Sequence, residues 1–174
     1  MIKLLILIIV PISLMANDCN SLKETRTRLE ISSFNFLNSN TTRTEEGGPF
    51  LPRKVTHCKK GKCEIQKGHK EYDTFLRYEP NHPDANNIGY VRYPNINKEK
   101  EWAIVNSRAH HLLLLAEKKT CRTEVSKTSN HSFYEISYKK GPVRADKLLF
   151  SKGKLKSWET DYRDGKSNIT FFNQ

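Results

Sequence analysis

RYEPNHPDANNIGYVRYPNINKEKEWAIVNSRAHHLLLLAEKKTC, residues 77–121, is the stretch whose reading decides the fold. Its first half is turn chemistry, because Pro80, Pro83, Asn86, Asn87, Gly89 and Pro94 interrupt helices and favour tight, solvated bends. Asn95 or Asn97 then offers a side-chain oxygen as a helix N-cap, with Glu99 and Glu101 where the helix dipole favours anions. Beyond them Trp102, Val105, Ala109, Leu112 and Ala116 recur at steps of three and four. That spacing is one stripe of an amphipathic helix that packs along a second helix.

The partner lies upstream. Residues 21–38 read as a first helix, with Ser21 as its N-cap and Glu24 at capping-box spacing. Leu22, Leu29 and Phe36 recur at sevens, a sparse coiled-coil seam that mates with the 102–116 stripe. Between the helices, residues 41–97 are rich in Gly, Pro, Asn and charge, with short β-prone runs at 54–57, 64–66 and 72–78. These predict a small antiparallel hairpin region. The run Glu45-Glu46-Gly47-Gly48-Pro49 is a turn and not a phosphate cradle, since no helix follows to present amide groups.

After Cys121 the period changes from helix to strand. Residues 132–138, 143–150, 154–162 and 167–172 are candidate strands, separated by Lys139-Lys140-Gly141-Pro142, Lys152-Gly153 and Asp164-Gly165. They predict a four-stranded meander burying Phe133, Ile136, Leu149, Trp158, Ile169 and Phe171. A sheet of this size needs a cover, either the helical hairpin or a partner. The expected class is α+β: an antiparallel pair of N- and C-terminal helices with a small β- and turn-rich insert, then a C-terminal antiparallel four-stranded meander.

The first 16 residues have the pattern of a secretory signal peptide: Lys3 at the start, an apolar run from Leu4 to Val10, and Leu14-Met15-Ala16 as a cleavage site. The run stops at Pro11, well short of the ~20 residues a membrane-spanning helix needs. Export by the general secretory route, without a stable membrane span, is the expectation. It divides the chain into a leader (1–16), a helical hairpin with its insert (17–125) and a basic β extension (126–174).

The formal net charge is +11. Beyond the leader the excess divides evenly, +5 over residues 17–125 and +5 over 126–174. A solvated surface carries such an excess, and so does a face that attracts an anionic envelope polymer, lipid headgroups or an acidic partner. No base-reading motif accompanies the charge, which argues against nucleic acid.

Cys19, Cys58, Cys63 and Cys121 are an even number in a chain with an export leader, which predicts two disulfides among three possible connectivities. Cys58 and Cys63 bracket Lys59-Lys60-Gly61-Lys62, a turn able to close a hairpin, and this would leave Cys19 with Cys121. Antiparallel helices suit that second pair, one cysteine opening the first helix and the other closing the second. A zinc site would instead draw on His57, Cys58, Cys63 and His69, but the Cys spacing is loose and an oxidising compartment competes.

Catalytic patterns are scarce. His110 and His111 are adjacent on a helix and so point about 100° apart, which is not an ordinary metal pair. His57, His69, His82 and His131 are scattered through loops and strand starts. There is no nucleophile elbow, zinc-protease helix, phosphate loop or cysteine–histidine signature. Pairs such as Glu45-Glu46, or Asp161 with Asp164, read as solvated turns. The sequence predicts a protein that is not an enzyme, with no catalytic residues, no metal and no cofactor.

The passage YEPNHPDANNIGYVRYPNIN, followed by a helix carrying NSRAHHLLLLA, resembles the C-terminal part of bacterial flagellar basal-body rod proteins of the proximal-rod type. Those proteins carry a similar Y-E-P, P-x-A and G-Y-V-R-x-P-N-V-N passage ahead of their C-terminal helix. The upstream run FNFLNSNTTRTEEGGPFLPRK, residues 34–54, resembles the same family's Asn-rich helix exit and glycine turn, so the two matches bracket roughly residues 20–122. The resemblance implies a non-catalytic structural subunit whose terminal helices pair, here through Leu22, Leu29, Phe36, Trp102, Val105, Ala109 and Leu112. Asn35, Asn38 and Asn40 would shape the helix exit, and Tyr78, Pro80, Gly89, Tyr90, Pro94 and Asn95 mark the turn passage. Arg108 matches the polar position of the second helix. Implied partners are other rod or ring proteins, or further copies of this chain, in the periplasm or the basal body. The leader, the cysteines and the β extension depart from that pattern, so the resemblance is to a signal-peptide-bearing, C-terminally extended paralogue. The alternative is a free periplasmic or secreted binding module that reuses the rod scaffold and grips envelope polymers with its basic extension.

Overall fold

The computed structural model describes residues 12–118, 121–128 and 132–172, with side chains from residue 19 onward. The 1–16 leader therefore lies largely outside the described residues. Two helices and nine strands are present among them, in the order α1 (Ile12–Leu37), β1 (Arg53–Lys59), β2 (Lys62–Lys67), β3 (Thr74–Tyr78), β4 (Tyr90–Pro94), α2 (Lys98–Glu117), β5 (Thr123–Lys127), β6 (Phe133–Tyr138), β7 (Val143–Ser151), β8 (Lys154–Tyr162) and β9 (Ser167–Phe171). The strands form three antiparallel sheets: β1-β2, β3-β4 and β5-β6-β7-β8-β9.

This corrects the α+β description of a helix pair with a four-stranded meander. The chain is mostly β in its elements, and its main sheet has five strands. The missed edge strand, Thr123-Glu124-Val125-Ser126-Lys127, has Val125 as its only apolar side chain, so no alternation betrays it. The missed β4 ends on Pro94 and follows a run of turn residues that obscures it.

The two helices run antiparallel. At one end the rings of Phe36 and Trp102 lie 5.2 Å apart, and at the other Cys19 is bonded to Cys121. α2 begins where the sequence places it, with the Asn97 side chain accepting from the Lys100 amide at 2.7 Å. α1 does not: it is already helical at Ile12, so Ser21 is an interior residue and no cap. Glu24 accordingly turns one turn forward and pairs with Arg28 at 2.9 Å. At the other end of α2 the buried Thr123 hydroxyl donates to the Ala116 carbonyl at 2.8 Å, satisfying one of the last orphan acceptors of the helix.

The five-stranded sheet packs on the helix pair, and the two share one core. Leu22, Leu29, Phe36, Trp102, Val105, Ala109 and Leu112 belong to the same buried cluster as Ile136, Leu148, Leu155 and Trp158. Phe172, just past β9, reaches the helices and lies 5.9 Å from Phe36 and 5.3 Å from Trp102 between ring centres. The expected burial pattern of the strands is corrected in register. Leu149, Ile169 and Phe171 are 41%, 53% and 64% exposed, whereas Leu148, Phe150 and Phe172 are buried. Side chains alternate along a strand, so a one-residue error exchanges the two faces; on β7 the alternation puts Asp146, Leu148 and Phe150 inward and Leu149 outward.

Candidate functional site

The segment with the family-like motif forms the β3–β4 hairpin and the loop between its strands. Thr74 pairs with Pro94, Leu76 with Arg92 and Tyr78 with Tyr90. Gly89 is needed at its place: its φ is +84°, and a Cβ there would come within 2.7 Å of the Tyr78 ring. The Glu79 amide donates to the Gly89 carbonyl at 2.8 Å, which ties the loop across its neck. Pro94 is fully buried, and the Asn95 amide donates to the Asp73 carbonyl at 2.9 Å. Pro80 and Asn95 are exposed.

One face of this hairpin is held together internally. The Tyr93 hydroxyl donates to Glu79 at 2.6 Å, Arg77 pairs with Glu79 at 2.7 Å, and the Arg77 guanidinium lies 4.1 Å from the Tyr93 ring centre. The hydrogen bond from Tyr93, reinforced by Arg77, holds the Glu79 carboxyl below its usual range. Asp73 is likewise lowered, chiefly by the His69 backbone amide at 2.8 Å and then by Lys54. The other face is open: Leu76, Tyr78 and Tyr90, 49%, 62% and 38% exposed, share it with the half-buried Arg92 opposite Leu76, and Ile88 on the loop is 72% exposed. Four exposed large apolar side chains on one small hairpin are a candidate interaction surface.

The helix-exit asparagines do different work. Asn35 is buried and both donates to the Arg53 carbonyl and accepts from the Arg53 amide at 2.9 Å, as a neighbouring strand would. Its amide also reaches Glu101 at 3.3 Å, so it joins α1, β1 and α2. Asn38 donates to the Phe34 carbonyl at 2.9 Å and accepts from Thr41, closing the end of α1. Asn40 is exposed. Arg108 is half-buried on α2, beside a shallow depression it shares with Lys100, Ala103, Ile104 and Ser107.

Sequence reasoning missed the polar centre of the molecule. Asp146 is fully buried on β7 and accepts from Arg26 at 2.9 and 3.2 Å, Tyr138 at 2.7 Å, Trp158 at 3.0 Å and Thr160 at 2.7 Å. Burial pulls the Arg26 guanidinium down, but the Asp146 charge and hydrogen bonds outweigh it and hold it above its ordinary value. Burial, then the Asp146 charge, pushes the Tyr138 phenol well up. A signal was present: in VRADKLLF the aspartate stands in register with Leu148 and Phe150, a charge on the face that should be apolar.

All four cysteines are bonded, Cys19 to Cys121 and Cys58 to Cys63. Cys58 and Cys63 face one another across the β1–β2 hairpin, and neither is a thiolate that could join His57 and His69 around zinc. Two disulfides fit a chain that matures in an oxidising environment. His110 Nδ1 lies 2.8 Å from the Asn106 carbonyl oxygen, and its ring is 4.8 Å from Phe150, while His111 is exposed. Among the described residues no His, Cys, Asp and Glu side chains are grouped to hold a metal, and no helix is long and apolar enough to cross a membrane. No protein-family model matches the chain, and no curated protein matches it either.

Proposed function

We propose that this chain is a non-catalytic structural component of the bacterial flagellar basal body, a rod-like subunit or a periplasmic accessory that docks on rod or ring proteins. The observation that carries the reading is a coincidence of place. The segment that resembles rod proteins is the segment that displays Leu76, Tyr78, Ile88 and Tyr90 to solvent. An assembly protein needs such a face, and a free monomer gains nothing from it. Antiparallel terminal helices locked by Cys19–Cys121 supply the rigid base from which the hairpin projects. Export to the periplasm through the general secretory route completes the reading.

Detergent-isolated basal bodies analysed by mass spectrometry test it. Co-enrichment of this chain with rod and ring proteins is the expected result, and Tyr78→Ser with Ile88→Ser should abolish it. A chain found only in the soluble periplasmic pool would overturn the proposal. That outcome would favour the second reading, a free module that grips envelope polymers, which draws on the +5 excess over residues 126–174. Binding of the intact protein to purified cell-wall sacculi would then be its test.

A further inference from the structure

A cleft of about 690 Å³ opens at the disulfide end of the helix pair, away from the β3–β4 hairpin. Besides Arg26, which is paired with Asp146, four cations line it: Lys23 from α1, Lys62 from β2, Arg122 from the α2–β5 link and Lys140 from the β6–β7 turn. All four are exposed, and among the described residues no carboxylate lines the cleft. Of the described acids nearby, Glu124 pairs with Lys139 at 2.7 Å and Asp146 with Arg26 beneath. Four separate elements thus bring like charges together, which costs free energy until an anion offsets it.

Arg122 adds a second observation. It is one of three described non-glycine residues with positive φ, at +54°. The other two, Lys60 and Lys152, each precede a glycine in a tight hairpin turn, where that conformation is required. Arg122 instead stands in the bend between α2 and β5, directly before Thr123, so its backbone conformation fixes where its side chain leaves the chain beside the cleft. The cleft is also not purely polar. Its wall is mainly apolar, with Leu22 and Val143, the exposed Pro142 and the Cys19–Cys121 bridge among the residues that form it.

We infer that this cleft binds an acidic segment of a partner protein, one or two apolar side chains on the wall and flanking Asp or Glu carboxylates on the four cations. The volume suits a few residues of peptide. A phosphate or sugar polymer would satisfy the cations and leave the apolar wall without a partner. The chain's own residues 1–11 are a poor occupant, since they include Lys3 and no carboxylate. The inference rests on the cleft alone and stands or falls separately from the rod-like reading.

The test is fluorescence anisotropy of the intact, oxidised protein with a labelled peptide, Glu-Asp-Leu-Phe-Glu-Asp. Saturable binding that weakens with salt is expected, with Lys62→Glu/Arg122→Glu loosening it about tenfold or more. Lys154→Glu, an exposed reversal outside the cleft, should leave it unchanged. Amide shifts on the unmodified protein provide the measurement that needs no variant. They should cluster at residues 22–27, 61–62, 121–122 and 140–143. Absence of binding, or shifts scattered over the surface, would overturn the inference. So would equal binding of Glu-Asp-Ser-Ser-Glu-Asp, which lacks the apolar pair. Polyphosphate binding as tightly, with the same dependence on Lys62 and Arg122, would overturn the peptide in favour of a phosphate polymer.

Discussion

The helix–sheet body and the β3–β4 hairpin handle their apolar side chains in opposite ways. In the body, Leu29, Val105, Leu112, Ile136, Leu148 and Leu155 are all removed from water in one cluster, around an aspartate whose hydrogen-bonding capacity is filled. In the hairpin, two short strands leave Leu76, Tyr78 and Tyr90 in solvent and rely on a trio formed by the exposed Arg77, the half-buried Glu79 and the buried Tyr93. Burial stabilises by about 25 cal/mol per Å² of apolar surface, and an exposed side chain contributes almost nothing to the fold. The difference separates two kinds of residue: those whose loss unfolds the chain, and those whose loss leaves it folded but without a docking face.

The sharpest way to break the comparison is at Asp146. Asp146→Ala strands the buried Arg26 guanidinium and removes the acceptor of Tyr138, Trp158 and Thr160 together. Leaving one charge of a buried pair uncompensated costs about 3–5 kcal/mol. Urea unfolding should show that loss. A cost near 1 kcal/mol would mean that water reaches Arg26, and the body would be less closed than its burial implies.

The two disulfides come next, since one belongs to the body and one to the insert. Cys19–Cys121 spans 102 residues and Cys58–Cys63 spans 5. Loop-closure entropy then predicts about 4–5 kcal/mol for the first and about 2 kcal/mol for the second. Paired Cys→Ser variants, compared by thermal melting, should fall in that order. An equal drop would place the β1–β2 hairpin on the same footing as the helix pair.

Much of the body was legible because its signals are periodic. The stripe from Trp102 to Ala116 follows directly from spacing, the sequence narrows the cap to Asn95 or Asn97 and it is Asn97, and the turn bracketed by Cys58 and Cys63 suggested their pairing. The failures have physical causes. α1 continues upstream of Ser21 because Leu14, Met15 and Ala16 are good helix formers, so the chain needs no cap there. β5 has too few apolar residues to register as a strand, yet pairing with β6 satisfies its backbone. The Asp146 centre depends on Arg26, 120 residues away, and no local pattern announces such a contact. The exposed face of the hairpin was hidden for a related reason: Pro80, Asn86 and Gly89 announce a turn but say nothing about which way Tyr78 and Tyr90 point.

Tyr138 sharpens the comparison by pH. Its folded-state value is raised well above 10, first by burial and then by Asp146, so the neutral phenol is the form the body stabilises. The stabilisation is complete below the unfolded value near 10 and is lost as pH climbs above it toward the folded value. Melting temperature should therefore fall above pH 10, and Tyr138→Phe should flatten that fall while costing about 1.5–3 kcal/mol at neutral pH for the lost bond to the carboxylate. The hairpin carboxylates work in the opposite direction. Glu79 and Asp73 are lowered, so what they contribute is present above the ordinary carboxylate range and fades as pH drops through it. Acid should loosen the hairpin first, visible as amide signals of residues 74–94 broadening before those of the body.

The smallest expected effect on stability carries the most information about function. Leu76→Ser, Tyr78→Ser and Ile88→Ser each alter a side chain that is about half or more exposed, so each should change the unfolding free energy by no more than about 0.5 kcal/mol. Val91 and Tyr93 lie on the same hairpin but are buried, and Val91→Ser should cost several times as much, because it buries a hydroxyl and leaves a void. The three outward variants therefore keep the fold and change only what the hairpin shows to solvent. If this face docks on a partner, they lower the yield of the chain in isolated basal bodies while their melting curves overlay the parent's. Unaltered yield at unaltered stability would leave Leu76, Tyr78 and Ile88 without a role, and the docking surface would have to be sought at the cationic cleft on the other end of the helix pair.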